Sequence, residues 1–465
     1  MSNFLDKAIV ALFLALIVFT ALAHGAVEAW AMALNSAGIV VLLLLWMLRA
    51  CLEKQWTLHV PAPVWPLLAL LGLGILQSLT WTSETGQRTS LSLDVEATRD
   101  AVLWMGLLII AFVVAANIFI GQARLTLLRT FFIGFGLALA LFALLQKITW
   151  NGRFYWWRAV DSQIITSPFG PFVHHGHYAG YLEMLLPIPI AFLILHQLRL
   201  EKKLLYGFAA TMMSISVIAS LARGGMISMM AQLIFLTAMS FWMLRRRQLE
   251  SETQTFSARS GFVRSSTVIV ISAAIFVGVL WISAEPVLNR LAPEQANVTV
   301  QDSINERGWI WRDTVTMFRA NPMLGVGLGA FESAFPIYSQ HDGSLTVNAA
   351  HNDYLQLLAE GGLLGAGLIA WFIVTVLRLL LPALRSQDSR VQALALSGAA
   401  GMVGILVHSL FDFNLQLPSH ALLFLTLVAE VAVLGASASE RAEAGVVLKS
   451  QPHYFDITER LSEGS

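Results

Sequence analysis

Apolar stretches of about the length needed to cross a membrane recur along nearly the whole chain. Of its 465 residues, 57% are apolar and only 12% are charged, and the mean hydropathy is +0.68. A helix needs roughly 20 mostly apolar residues to span the hydrocarbon core, and a helix satisfies its own backbone hydrogen bonds in lipid. The sequence therefore predicts an all-α integral membrane protein. Its formal net charge of zero gives no sign of nucleic-acid binding.

These stretches predict about 12 transmembrane helices in a single polytopic domain, residues 1–435, followed by a polar cytoplasmic tail, residues 436–465. A large loop at residues 285–350, containing short helices, interrupts the spans. The predicted spans are Ala8–Ala23, Trp30–Leu48, Val64–Trp81, Ala101–Ile120, Thr130–Thr149, Tyr178–Leu198, Leu204–Ala222, Met226–Leu244, Thr267–Ala284, Tyr354–Leu377, Val391–Ser409 and Ala421–Leu434.

Positive charge is divided unevenly between the two sides of these spans. When alternate loops are assigned to opposite sides, most of the 29 Lys and Arg residues fall on the side of the two termini. Cytoplasmic loops retain such an excess, so we predict both termini in the cytoplasm and the loop at 285–350 at the periplasmic face of a bacterial inner membrane. The first apolar stretch also resembles a cleavable signal peptide, because Ala21-Leu22-Ala23 precedes His24. We favour its retention as a membrane helix.

Arginines on the outward side are the first candidates for binding an anion. Arg223 ends an apolar stretch and is followed by Gly224-Gly225, which predicts a tight turn that aims the guanidinium into the mouth of the bundle. The alternative is an arginine that reaches from a helix end to the membrane surface.

A second pair of outward arginines lies in a predicted helix of the large loop. Ser303 and Glu306 form a capping box, so we expect a helix from there to about Ala320. Arg307 would then lie in the first turn, where free N–H groups favour an anionic ligand. Arg312 would face about 140° away, and it could instead pair with a nearby carboxylate.

Glycines at 325, 327 and 329 give the next stretch some likeness to a phosphate-binding loop. No strand precedes them, however, and no Lys-Ser/Thr pair follows. Backbone freedom for a re-entrant or tightly packed loop explains them better.

His351 is the candidate general base, because an imidazole can accept and return a proton near neutral pH. It is predicted to lie at the outward mouth of the tenth span, where Tyr354 and Leu355 would be its neighbours one helical turn along. Glu360 would lie about 13 Å further in, which favours a protonated or arginine-paired structural role. His408 is the rival base, since Asp412 is four residues away and could hydrogen-bond to it.

Three histidines, His174, His175 and His177, lie close together in the sequence. They lack the helical spacing and the fixed carboxylate of a zinc site. We therefore predict no metal and no other cofactor, and we interpret the cluster as lying at the membrane interface.

The order of several motifs resembles the O-antigen ligase and O-antigen polymerase superfamily of bacterial envelope glycosyltransferases. The motifs are GPFVHHGHYAGY, RGG, RGWIWR, NPMLGVGLGAF, HNDYLQLLAEGG and HSLFDFNLQLP, and residues 307–365 carry the most specific part. The resemblance implies a glycosyltransferase C-like bundle and a metal-independent inverting enzyme. Such an enzyme transfers a glycan from undecaprenyl diphosphate to an acceptor hydroxyl at the periplasmic face.

The resemblance also implies roles for individual residues. Arg223 and Arg307 would hold the diphosphate, and His351 would act on the acceptor. Further substrate-binding residues would be His177, Arg312, Asn352 and Tyr354. The partners implied are membrane lipids, the lipid-linked donor and a glycan, lipid A-core or protein acceptor.

A transporter or flippase of lipid-linked or anionic solutes is the alternative class. Transporters usually show two related halves and a polar site at the membrane midplane. Here the unusual polar residues gather toward one face, which favours a transferase. The LFDFNLQLP segment slightly favours a polymerase over a ligase, and a protein O-oligosaccharyltransferase is a third option.

Overall fold

A computed structural model describes residues 2–53, 58–82, 88–159, 168–250, 293–340 and 346–450. Within these ranges the chain is almost entirely helical. Two short antiparallel hairpins are the exception, with β1 (Thr80–Thr82) pairing with β2 (Arg88–Ser90), and β3 (Arg153–Phe154) with β4 (Arg158–Ala159). The prediction of an all-α membrane protein is confirmed.

Fourteen α-helices lie in the described ranges. They are α1 (Ser2–Leu22), α2 (Ala29–Glu53), α3 (Val64–Gln77), α4 (Val95–Ile118), α5 (Gln122–Ile148), α6 (His175–Leu185), α7 (Pro187–Leu195), α8 (Leu200–Ala219), α9 (Arg223–Glu250), α10 (Pro293–Ala320), α11 (Phe331–Tyr338), α12 (Asp353–Leu384), α13 (Ser389–His408) and α14 (Pro418–Ser450), with a 3₁₀ turn at Asn414–Gln416 between the last two.

Nine segments in the described ranges are long and apolar enough to cross a membrane, α6 and α7 together forming one of them. The sequence predicted about 12. Of the other three, α3 is a shorter apolar helix of 14 residues, and α8 is not among the nine. The span predicted at Thr267–Ala284 lies outside the described residues, as does the end of the predicted tail, whose first part continues α14 as far as Ser450.

The centre of the bundle is formed by the α6–α7 segment, α13 and α14. These are the most buried of the nine segments, whereas α2 and the long α12 leave most of their length exposed. A helix that is apolar all round and buried belongs inside a bundle, and an exposed apolar face belongs against lipid. The central helices carry several of the polar side chains that the protein encloses, among them Glu183, His408 and Glu430.

Helix α10 begins earlier than its sequence signal predicts. It starts at Pro293 and ends at Ala320 as expected, so Ser303 lies inside the helix and the predicted capping box is wrong. Proline suits a first helical position because its missing N–H would be unpaired there. Arg307 lies 14 residues into α10, so the free N–H groups of a helix start cannot contribute to anion binding there.

Helix α12 is broken by a glycine loop that docks against it. Gly362 has φ 61° and ψ −163° inside the helix, and there the N–H of Leu363 donates to the carbonyl of Pro322 at 2.8 Å. The N–H of Val326 donates to the carbonyl of Ala359 at 2.9 Å. The loop containing Gly325, Gly327 and Gly329 thus packs tightly against the backbone of α12, as expected, and its N–H groups donate hydrogen bonds within the protein.

Candidate active site

His351 lies just outside α12, in a conformation that is uncommon for a side chain other than glycine. Asn352 caps the helix, because its Oδ1 accepts hydrogen bonds from the N–H groups of Tyr354 (3.0 Å) and Leu355 (3.1 Å). His351 has φ 48°, and about a third of its side chain is exposed. His351 thus lies just ahead of the helix, as expected, but its left-handed backbone means that Tyr354 is not its neighbour one helical turn along.

A buried carboxylate, Asp412, gathers three imidazoles around itself. Its Oδ1 lies 3.6 Å from Nδ1 of His351 and 3.8 Å from Nε2 of His177, and its Oδ2 lies 3.9 Å from Nδ1 of His174. The ring of Phe413 meets both His177 and His351 edge-on, with centroids 5.1 Å apart in each case. We call these residues, without Phe413, the Asp412 cluster.

The connection between α13 and α14 carries Asp412, and the start of α12 holds it in place. The N–H of Asp353 donates to the carbonyl of Ser409 at 3.0 Å, and Oδ2 of Asp353 accepts from the hydroxyl of Ser409 at 2.7 Å and the N–H of Leu415 at 3.3 Å. His351 and Asp412 are therefore brought together by the contact of two loops, although 61 residues separate them.

The electrostatics of the cluster favour an ionised Asp412 and a neutral His174. Burial raises the pKa of Asp412, but the neighbouring imidazoles of His351, His177 and His174 outweigh burial, so its pKa lies well below the usual range. Burial lowers the pKa of His174 to about 4, against the opposing pull of Asp412. Although 36% of the His174 side chain is exposed, this burial, together with the smaller effects of His177, His351 and Arg307, keeps its ring neutral at physiological pH.

Arg307 lies on the face of α10 that meets the His351 segment. The indole N–H of Trp311 donates to the carbonyl of Ala350 at 3.0 Å, and Arg307 is four residues earlier and so on the same face of the helix. Its positive charge is felt at His174 and contributes to lowering the pKa of that histidine. Arg312 is exposed on a different face of α10, so the two arginines diverge as expected.

Arg223 is the first residue of α9. A tight turn was predicted at Gly224-Gly225, after Arg223, but the chain turns before Arg223. Leu221 is the residue with positive φ, 59°, and Gly224 and Gly225 belong to the first turn of the helix. A Cβ on Gly224 would come within 2.8 Å of the His408 ring. The glycines therefore allow α9 to pack closely on α13, which brings the exposed Arg223 to the end of the bundle that carries Asp412.

His408, the rival base, is enclosed in the bundle. Only 2% of its side chain is exposed, and its Nδ1 lies 3.2 Å from Oε2 of Glu183, which is fully buried. The predicted side-chain bond to Asp412 is absent from the described structure, because α13 ends at His408 and the chain then turns. An acceptor hydroxyl could reach His351 far more easily than His408.

The remaining predicted binding residues differ in whether their side chains already form hydrogen bonds within the protein. The hydroxyl of Tyr354 donates to the carbonyl of Leu406 at 2.7 Å, and Asn352 is occupied as the cap of α12. His177 is mostly buried, and its Nε2 faces Asp412 without a hydrogen-bond partner among the described atoms. A substrate role for each of these residues stays a prediction.

Metal binding is geometrically conceivable at this cluster, contrary to the sequence-based expectation. The ligand atoms of His174, His177 and Asp412 lie within 4.8 Å of one another. However, Nδ1 of His174 already accepts a hydrogen bond from the N–H of Gly176 at 3.1 Å. A metal ion would have to displace that bond and acquire a further ligand to complete a tetrahedral site.

An apolar cavity of about 630 Å³ opens beside the cluster. Its polar end is lined by Asp353, Gln356, Glu360, Ser409 and Gln416, and side chains such as Trp104, Phe235, Phe372, Met402 and Phe424 line the rest. Along α12 the lining includes residues between Asp353 and Leu380, on both sides of the break at Gly362. The cavity therefore extends along both parts of α12.

Glu360 has a structural role at this polar end. Its Oε2 accepts from the N–H of Gly329 and its Oε1 from the amide of Gln356, both at 3.0 Å. Gln77, at the end of α3, donates to the carbonyl of Glu360 at 2.9 Å and accepts from the N–H of Leu328 at 3.0 Å. These side chains secure the glycine loop, and no arginine pairs with Glu360 among the described residues.

Residues 208–372 match the model of a protein family described as O-antigen ligase. This part of the chain is therefore similar to the O-antigen ligase superfamily. The match covers Arg223, Arg307 and His351, and it confirms the resemblance that the sequence motifs indicated. A comparison with curated proteins found no match. An O-antigen ligase domain in a multi-pass membrane protein indicates a glycosyltransferase-like enzyme that acts on glycans and lipid-linked substrates.

Asp412 is the residue of this site whose role sequence reasoning missed. Its spacing from His408 suggested a partner on the same helix, whereas its contacts come from α6 and from the loop before α12. The only available signal was its place in the HSLFDFNLQLP motif, which lies beyond the 208–372 match.

Proposed function

We propose that the protein is a metal-independent, inverting glycosyltransferase that moves a glycan from undecaprenyl diphosphate to an acceptor hydroxyl at the periplasmic face. The observation that carries the proposal is the position of the Asp412 cluster at the polar end of a long apolar cavity. His351 precedes Asp353 by two residues, and Asp353 lines that cavity. A titratable imidazole and a lipid-sized cavity thus meet at one end of the bundle.

The cavity suits the lipid tail of the donor. A polyprenyl chain is apolar and long, and a lining of leucine, isoleucine, valine and aromatic side chains would hold it without unpaired polar groups. The diphosphate would then lie at the polar end, within reach of Arg223 and Arg307. Guanidinium groups bind phosphate oxygens in a bidentate manner and need no metal to do so.

The proposed chemical step uses the cluster as a base. The negative charge of Asp412, whose Oδ1 lies 3.6 Å from Nδ1 of His351, favours the ring proton on Nδ1 and leaves Nε2 to accept the proton of the acceptor hydroxyl. The acceptor oxygen forms a bond to the anomeric carbon, and the bond from that carbon to the diphosphate oxygen breaks. The electron pair leaves with the diphosphate, Arg223 and Arg307 stabilise its charge, and the imidazolium returns its proton to the diphosphate or to water.

The acceptor is either the growing glycan, a lipid A-core or a protein. The O-antigen ligase match favours a lipid A-core or glycan acceptor over a protein. The flippase alternative is less well supported, because the cavity becomes apolar beyond its outer end and offers no polar path for a charged headgroup.

The test uses purified full-length protein, a defined undecaprenyl diphosphate-linked repeat and the candidate acceptors. Transfer releases free undecaprenyl diphosphate and enlarges the acceptor, whereas a flippase changes only the leaflet of the donor. We expect Arg223→Ala, Arg307→Ala and His351→Ala each to lower kcat about 10²-fold or more. Arg319→Ala, at the exposed end of α10, is the matched control and should retain activity.

Two outcomes would contradict the proposal. Donor that moves between leaflets without being consumed would indicate a flippase. Activity that is lost on chelation and restored by Zn²⁺ would indicate a metal enzyme and would assign the ion to His174, His177 and Asp412. We expect a chelator to leave the rate unchanged.

A further inference from the structure

A second cavity, of about 280 Å³, lies at the same end of the bundle as the candidate active site. Its lining includes Gln146, Lys147, Trp150, His175, Ser220 and Leu221. His175 follows His174 of the Asp412 cluster, and Leu221 comes two residues before Arg223. The cavity therefore borders the two segments that carry the proposed diphosphate and acceptor contacts.

Gln146 is an unusual residue to find in the wall of this cavity. Its side chain is 1% exposed, and neither its amide oxygen nor its amide nitrogen has a hydrogen-bond partner among the described atoms. Burying an unpaired amide is unfavourable. An amide offers two donors and one acceptor in fixed geometry, which matches adjacent hydroxyl groups or an acetamido group on a sugar ring.

Trp150 gives the same cavity an aromatic surface. It follows the end of α5, 39% of its side chain is exposed, and its ring contacts Phe154 edge-on with centroids 6.0 Å apart. A flat apolar ring beside a buried amide complements a pyranose, which has C–H groups on one face and hydroxyls at its rim. The volume is near the lower end of small-molecule pockets, about 300–1,000 Å³, so it suits one sugar unit.

We propose that this cavity is a subsite for one sugar unit of a glycan substrate, with Gln146 hydrogen-bonding to its substituents and Trp150 packing on its ring. The proposal rests on the proposed function, because it takes the ligand to be part of a glycan. The 630 Å³ cavity is lined by residues of α4, α12 and α13 among others, whereas the 280 Å³ cavity is lined by residues of α5 and of the turn before α9. Lipid and sugar would thus approach the diphosphate from different sides.

Direct binding tests the subsite without turnover. Saturation-transfer NMR on the purified full-length protein would use glucose, N-acetylglucosamine and glucuronate as probes. We expect at least one to bind and Gln146→Leu to weaken that binding about tenfold or more, because a site built for hydrogen bonds loses a good part of its affinity without them. Asn35→Leu is the matched control, since Asn35 is a buried amide with both atoms unpaired that does not line this cavity.

Trp150 supplies an independent variant. Trp150→Leu should weaken binding as Gln146→Leu does, and Trp150→Phe should restore most of it. Absence of binding by all three sugars to the wild type would overturn the proposal. So would equal binding by the wild type and Gln146→Leu, and the cavity would then hold only water.

Kinetic measurements assign the sugar to one substrate. With the acceptor in excess, a rise in KM for the lipid-linked donor in Gln146→Leu places a donor sugar in the cavity. With the donor in excess, a rise in KM for the acceptor places an acceptor sugar there. If wild-type protein binds a sugar but releases no undecaprenyl diphosphate, the proposed function is contradicted and the subsite is not. If Gln146→Leu transfers the glycan normally at unchanged KM values, the subsite alone is contradicted.

Discussion

Asp412 is the residue that links the three imidazoles of the candidate site. Its side chain is 5% exposed and lies within 4 Å of a nitrogen of His351, His177 and His174. A carboxylate this deeply buried is costly unless neighbours compensate for it, and its lowered pKa indicates that they do. Its negative charge can hold the proton of His351 on Nδ1, which leaves the other ring nitrogen for the acceptor.

Replacing this carboxylate is therefore expected to slow the reaction more than to unfold the protein. We expect Asp412→Asn to lower kcat about 10²- to 10⁴-fold with a smaller change in KM, because the amide cannot enforce the same tautomer. Because the pKa of Asp412 is lowered, its contribution is present above the ordinary carboxyl range and is lost only as the pH falls through the lowered value. The carboxylate should therefore stay ionised from about pH 6 to pH 8, so that its own titration adds no pH dependence to the wild-type rate there.

The matched control is Asp388→Asn, at the opposite end of α13. Asp388 caps that helix, and asparagine caps a helix about as well as aspartate, so its rate should equal that of the wild type. A wild-type rate in Asp412→Asn would remove the carboxylate from the mechanism. Loss of the melting transition in that variant would instead assign Asp412 a mainly structural role.

The sequence could identify the individual residues that carry the chemistry, but not which histidine lies beside which carboxylate. It singled out His351, His408 and Asp412, and spacing alone favoured a bond between the last two. That bond fails because α13 ends at His408, while the buried Glu183 on α6 is already its partner. Which carboxylate meets which imidazole depends on contacts between segments far apart in the chain, and residue spacing carries no information about those.

Two glycines hold the elements that position the site. Gly362 interrupts α12, and a Cβ there would lie 2.4 Å from the carbonyl oxygen of Met323. Gly325 faces the break from the other side, where a Cβ would lie 2.3 Å from the backbone of Glu360. Backbone meets backbone at both points, so neither neighbour can move aside as a flexible side chain would. The approach fixes the loop and, through it, the helix that carries Arg307.

Adding one methyl group at this break should separate the two elements. We expect Gly362→Ala to destabilise the protein by about 1–3 kcal/mol, the usual cost of a strained backbone conformation, and to lower the melting temperature in detergent. Gly367→Ala is the control in the same helix, because no atom lies within 4 Å of a Cβ there. It should be neutral or slightly stabilising. Equal melting temperatures for the two variants would contradict the docking of the loop.

Element boundaries were predictable where the signal was local. Asn321-Pro322 correctly predicted the end of α10 at Ala320. The start of the same helix was missed, because Ser303 and Glu306 fit a capping box while the helix continued through them from Pro293. The glycine loop was correctly interpreted as tightly packed, yet its partner could not be named, since a break inside an apolar helix leaves no mark beyond the pair Gly361-Gly362.

In the described part of the molecule, the groups of the candidate site lie together at one end of the bundle. The Asp412 cluster, Arg223 and both cavities described above lie there, and so does Arg158, which pairs with Glu28 at 2.6 Å. The other end carries Asp6, paired with Arg49 at 2.7 Å. A lipid-linked substrate can reach a site at one end by moving within its own leaflet, so the side of the membrane on which that end lies determines which pool of donor the protein uses.

The side that each end faces can be measured with cysteine chemistry, because the chain has a single cysteine. Cys51 is exposed near the end of α2 opposite the site, and Trp157, 71% exposed, lies in the β3–β4 hairpin at the site end. The excess of Lys and Arg predicts that Cys51 is cytoplasmic. In intact spheroplasts, a membrane-impermeant maleimide should therefore label the double variant Cys51→Ser/Trp157→Cys. In the native protein it should label Cys51 only after the membrane is permeabilised. The Cys51→Ser protein alone gives the background, and labelling in the reverse order would place the site in the cytoplasm, away from any periplasmic acceptor.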